Sequence, residues 1–156
     1  MNDTCTAEIR IWPEFLDDGE KARLIADGKI AVMSGDGEYL YRPELDGSLS
    51  CLDDGFSGAA MVAAYMARRL PFLVKHEGGD GYGPGMILYG GKGDPLLADM
   101  DPDMASLAIR AEILEGGKLV LSSDDLSAAR RIARTMAGIA RRRRTIREKT
   151  GEEYNG

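Results

Sequence analysis

The sequence predicts an α+β fold: one domain with a mainly antiparallel sheet, about four helices and a long basic C-terminal helix. Three observations carry this expectation. Short β-like runs cluster in the first third between Asp-Gly pairs, helical periodicities follow later interleaved with single strands, and the regular strand–helix alternation of a doubly wound sheet is missing. The 156 residues suit a single domain, and a chain of that size buries roughly 70% of its unfolded surface without disulfides or metal. With 44% apolar and 29% charged residues, the collagen-like and disordered classes are excluded.

The elements follow in order. Residues 8–11 alternate charged and apolar side chains, as an opening strand with Ile9 and Ile11 inward. Residues 18–27 suit a short helix that Gly28 stops. Five Asp-Gly pairs lie at 18–19, 27–28, 36–37, 46–47 and 54–55. Asp-Gly favours tight turns because Gly takes positive φ freely and Asp bonds its own backbone. The runs 29–34, 38–42 and 48–52 therefore read as a three-stranded antiparallel meander. The pairs lack the Gly-Gly-x-Gly-x-Asp pattern of calcium-binding nonapeptide repeats.

Ser57 opens a second helix that Pro71 ends, and the apolar runs 72–74 and 86–89 flank a Gly-rich loop as a long hairpin. A third helix is expected from Asp101 as cap and Pro102 at the first helical position, with Met104, Leu107, Ala108, Ala111 and Leu114 as its apolar stripe up to Gly116. Residues 119–121 form a strand, and Ser123 or Asp124 caps the final helix.

Charge is unevenly laid out. Residues 1–116 hold 10 Lys/Arg against 21 Asp/Glu, whereas residues 117–156 hold 10 against 5. In the final helix Leu126, Ala129, Ile132, Ala133, Met136, Ile139 and Ala140 share one face, and Arg130, Arg131, Arg134, Arg141 and Arg142 share the other. Past Ala140 the apolar face is interrupted by Arg143, Arg144 and Arg147, and guanidinium groups are not buried without partners. The expectation is a docked domain over residues 1–140 and a basic helical extension with a flexible tail over 141–156. Arg141, Arg142, Arg143, Arg144 and Arg147 are its candidate partner-binding residues.

Catalytic and metal chemistry find little support. His76 is the only histidine, so every Ser-His or Cys-His scheme requires it, and no Gly-x-Ser-x-Gly elbow occurs. His76, Glu77 and Asp80 are the one candidate metal-ligand set, but they sit at a loop with five glycines between residues 78 and 85. Tyr82, in the middle of that loop, is a candidate contact residue. Asp99, Asp101 and Asp103 open like a calcium loop, yet Met104 stands where Gly is needed and Arg110 where Glu is needed. Gly90-Gly91-Lys92-Gly93 follows a strand as phosphate loops do, without the remaining residues of that motif. No cofactor is expected.

Two cysteines, Cys5 and Cys51, are too few for a disulfide scaffold, and a reduced cytoplasmic setting is expected. No apolar run is long enough to span a membrane, and the first twelve residues lack the apolar region of a secretory signal. The expected function is a small non-enzymatic binding protein: a regulator, inhibitor or assembly component. Its acidic surface acts on a protein partner that handles nucleic acid, by mimicking a polyanion. A homo-oligomer joining the acidic body to the basic helix is a further option for the partner. The alternatives are a nucleic-acid-associated protein that binds phosphates through the C-terminal arginines, and an enzyme with the Gly-rich loop as a lid over His76.

Overall fold

The computed structural model describes residues 5–79 and 81–150. Strand β1 (Cys5–Ile11) runs through the middle of a seven-stranded antiparallel sheet. A 3-10 turn (Pro13–Phe15) and helix α1 (Asp18–Asp27) follow, then the meander β2 (Ile30–Met33), β3 (Glu38–Pro43) and β4 (Leu49–Phe56). Helix α2 (Ala59–Ala67) leads to β5 (Phe72–His76), β6 (Gly85–Tyr89) and β7 (Leu96–Asp99). A separate hairpin of β8 (Ala111–Ile113) and β9 (Leu119–Leu121) precedes helix α3 (Ser123–Thr150). The sheet order is β2-β3-β4-β1-β5-β6-β7, so the meander forms one edge and β6–β7 the other. Six interstrand steps of about 4.8 Å separate these edges by roughly 29 Å.

Alternation along the strands splits the apolar residues between two faces. Ile9 pairs with Cys51 in β4 and with Val74 in β5. Ala7, Ile9, Ile11, Phe72 and Val74 join Met61 and Tyr65 of α2 in one core. The intervening Leu73, with Met86 and Leu88, joins Ile132 and Ile139 of α3 in a second core on the other face. Tyr41 and Tyr65 are buried in the first core and satisfy one another through a 2.7 Å hydroxyl–hydroxyl hydrogen bond.

The local chemistry explains the element ends. Asp17 caps α1 by accepting from the Glu20 amide, Glu20 accepts in return from the Asp17 amide, and Gly28 closes the helix in the left-handed region. Of the five Asp-Gly pairs, only 27–28, 36–37 and 46–47 lie in turns. Asp18-Gly19 opens α1 and Asp54-Gly55 lies within β4.

Two expectations need correction. Residues 101–114 form no helix, so the described residues hold three helices instead of four. Asp101 caps a turn by accepting from the Ala105 and Ser106 amides, and Met104 takes a φ of 58°, which ends any helical run there. Leu107 bridges back to Met100, and the chain then leaves as β8. Gly116 and Gly117, both at positive φ, turn the chain into β9 instead of terminating a helix.

The second correction concerns α3, which does not leave the body at residue 140. Arg143 packs its guanidinium inward, and Nε donates to Glu14 Oε1 at 2.5 Å, with side-chain exposures of 13% and 3%. Arg142 Nη1 donates to the Gly90 carbonyl at 2.6 Å, with its guanidinium 4.8 Å from the centre of the Phe15 ring. Ile146 and Arg147 remain partly buried, and Arg144 and residues 148–150 are exposed. The rule that guanidinium is buried only with a partner still holds; the partner is Glu14 in the 3-10 turn. The expected tail over 151–156 lies outside the described residues.

Candidate functional site

Chemistry-bearing side chains gather in three places. The first is a cavity of about 560 Å³ near the β5–β6 loop, lined by Cys5, His76, Tyr82, Asp99, Arg110 and Asp125 among others. His76 and Tyr82 meet edge to face, with ring centres 5.8 Å apart, and His76 Nδ1 lies 2.9 Å from the Glu77 carbonyl oxygen. The loop is drawn into a small closed turn in which the Gly79 amide donates to the Tyr82 carbonyl at 3.0 Å. Tyr82 therefore stands beside His76. Glu77 is exposed, and Asp80 lies outside the described residues. Among the described residues no group of three His, Cys, Asp or Glu side chains is placed to hold a metal ion.

Cys51 lies away from this cavity. Burial, reinforced by Asp53, pushes its thiol up to about 11, so it stays protonated at neutral pH. Arg110 and Asp125 form a two-point pair at the base of the β8–β9 hairpin, Nε to Oδ2 at 2.9 Å and Nη2 to Oδ1 at 2.8 Å, and the Arg110 amide donates to the same carboxylate. These bonds hold the Asp125 carboxyl well below the usual carboxylate range. Beyond this pinned base the hairpin presents Ile113, Leu114, Leu119, Val120 and Leu121 to solvent.

The second place is the meander edge. Asp36, Glu38 and Asp53 line a cleft of about 240 Å³, where the Tyr39 hydroxyl donates to Asp53 at 2.6 Å. Burial, followed by the Asp53 hydrogen bond, raises the Tyr39 hydroxyl above its ordinary value and keeps it a donor. Asp18, Asp27, Glu44 and Asp54 are exposed on the same stretch of chain. From residue 17 to residue 54 there are ten carboxylates against four basic side chains. Two of the ten meet guanidinium partners from elsewhere: Glu20 pairs with Arg68, and Asp46 with Arg10.

The third place is a groove of about 840 Å³ between α3 and the β6–β7 turn. Lys92 stands on the turn, and Arg131, Arg134 and Arg141 stand on the helix, against one lining carboxylate, Asp94. The turn lies against the helix because it is made of glycine. A Cβ at Gly90 would fall 2.8 Å from Thr135 Cγ2, and one at Gly91, which has a φ of 102°, would fall 2.8 Å from Arg142 Nη1.

No family model matches the chain, and no curated protein or solved structure matches it. Among the described residues no helix is long and apolar enough to cross a membrane.

The five candidate arginines divide by position. Arg143 is locked against Glu14, and Arg142 is committed to Gly90 and Phe15. Arg141 lines the groove, whereas Arg144 is exposed outside it and Arg147 is partly buried. Sequence reasoning missed that Lys92, Arg131 and Arg134 share one groove with Arg141. The available signal was the repeat of arginines on one helix face together with an unexplained glycine turn bearing a lysine. Neither feature by itself says that the two meet.

Proposed function

We propose that this chain is a small non-enzymatic binding protein, a regulator, inhibitor or assembly component, whose acidic edge engages a protein that itself handles nucleic acid. One observation carries the reading: residues 17–54, which build α1 and the meander, hold ten carboxylates against four basic side chains, and Arg10 and Arg68 draw off two of the ten. A dense carboxylate surface competes for sites that normally hold phosphates, and complementary potentials speed encounter and fix orientation. The non-enzymatic part of the reading draws on the Cys51 thiol, which stays protonated, and on the sole histidine, which sits beside a glycine turn.

The test begins with a nuclease-treated affinity capture from the native host, followed by measurement of the captured partner's affinity. Affinity that falls as ionic strength rises, and displacement of this protein by heparin, are the expected results. Binding indifferent to both salt and heparin contradicts the reading.

A further inference from the structure

We infer that the groove between α3 and the β6–β7 turn is a binding site for a chain of phosphates, presented either by a free nucleoside polyphosphate or by a single-stranded nucleic-acid backbone. This goes beyond the acidic-edge reading and rests on different residues. Arg131, Arg134 and Arg141 lie along one wall over ten residues of helix, about 15 Å of rise. Lys92 faces them from the turn, so the cations come from two elements instead of one solvated helix face. Among the described residues no carboxylate pairs with any of these four side chains. By contrast, Arg10, Arg68, Arg110 and Arg143 each pair with Asp or Glu.

The groove is also built. Arg142 fastens the turn to the helix through the Gly90 carbonyl; a Cβ at Gly90 would meet Thr135 Cγ2 at 2.8 Å, and Gly91 supplies the positive φ of 102° that the turn needs. Arg142 is thus a positioning residue, and Arg131, Arg134, Arg141 and Lys92 are the contact residues. Guanidinium forks match phosphate oxygens two at a time, and lysine adds a point charge. A concave groove of about 840 Å³ accepts a linear chain of phosphates and excludes the convex face of a duplex. Leu96 and Ile146, partly buried along the groove, give a nucleoside an apolar surface to rest on.

The experiment titrates the full chain at low salt with tripolyphosphate, ATP without divalent cation, a (dT)12 single strand and a duplex of equal length. Two equal charge reversals are compared: Arg134→Glu with Arg141→Glu inside the groove, and Arg130→Glu with Arg144→Glu outside it. All four side chains are exposed, and melting curves check that both variants fold. Expected results are at least tenfold weaker binding for the groove variant and at most about twofold for the other. Amide shifts at Gly91 and Gly93 in the unmodified protein on adding tripolyphosphate locate the site without any substitution.

Comparable binding of ATP, tripolyphosphate and (dT)12 assigns the site to free oligophosphates. Much tighter (dT)12 binding, with a log–log salt slope of roughly −3 for four contacts at about −0.7 each, assigns it to single strands. The inference is overturned if no probe binds, if the duplex binds tightest, if the outside pair costs as much as the groove pair, or if the glycine amides do not shift. Failure here leaves the acidic-edge reading standing, because none of these variants touches residues 17–54.

Discussion

Arg143 stands on the axis of the apolar stripe of α3, where an aliphatic residue would continue the packing of Ile132 and Ile139. Its guanidinium is buried against Glu14, 129 residues away in sequence. The interruption of the stripe was visible in the sequence; the partner was not, because a single Glu after Pro13 gives no local sign of being the carboxylate that a distant helix requires. Removing one member of a buried pair strands the other charge. Arg143→Ala and Glu14→Ala should therefore each cost about 3–5 kcal/mol in denaturant unfolding, and the joint change Glu14→Leu with Arg143→Met should recover most of it. Near-zero cost for the single changes would show the pair to be exposed in solution. A second prediction concerns Asp125, whose carboxyl is lowered by Arg110. A lowered folded value means that its contribution is fully present above the ordinary carboxylate value near 4 and is lost only as pH falls through the lower folded value. In an acid NMR titration the Arg110 amide should stay unchanged through pH 4 and move only below it. A midpoint at the ordinary value contradicts the pairing.

At the scale of elements, period-2 alternation and turn chemistry made the meander and β1 legible, and the stop at Gly28 made α1 legible, whereas its Asp17–Glu20 capping box was not read. The 101–114 segment misled because the same residues satisfy two periods. Met104, Leu107, Ala111 and Leu114 fit a helical stripe, while Ile109, Ala111 and Ile113 alternate with Arg110 and Glu112 as a strand does. Tertiary pairing with the apolar run 119–121 and the positive-φ pair Gly116-Gly117 decided for the hairpin. Strand β7 was missed for a related reason: its four residues follow a glycine-rich turn and carry little pattern of their own. Helix α3 yields the element-scale prediction. If the helix were free beyond residue 140, ending the chain there would leave stability unchanged. Because Arg142 and Arg143 dock, that truncation should lower the melting temperature by roughly 6–12 °C, from a loss of about 3 kcal/mol at 2–4 °C per kcal/mol. An unchanged melting curve contradicts the docking.

Over the whole molecule, the fold partly draws together the charge asymmetry that runs along the chain: Arg143 of the basic helix pairs with Glu14 and reaches the Gly47 carbonyl in the meander turn, beside Asp46. Part of the remaining basic excess lines a groove, and the carboxylates of residues 17–54 stay on α1 and the meander. Only the tertiary strand order could reveal this, since β1 enters first and yet sits between β4 and β5. The central claim is that partner recognition belongs to the acidic edge. The most direct measurement compares partner affinity across ionic strength for the unmodified protein, an Asp36→Lys, Glu38→Lys, Asp54→Lys variant and the groove variant Arg134→Glu, Arg141→Glu. The account predicts that the acidic-edge reversal abolishes binding and its salt dependence while the groove reversal leaves both in place. Unchanged, salt-sensitive binding by the acidic-edge variant would contradict it.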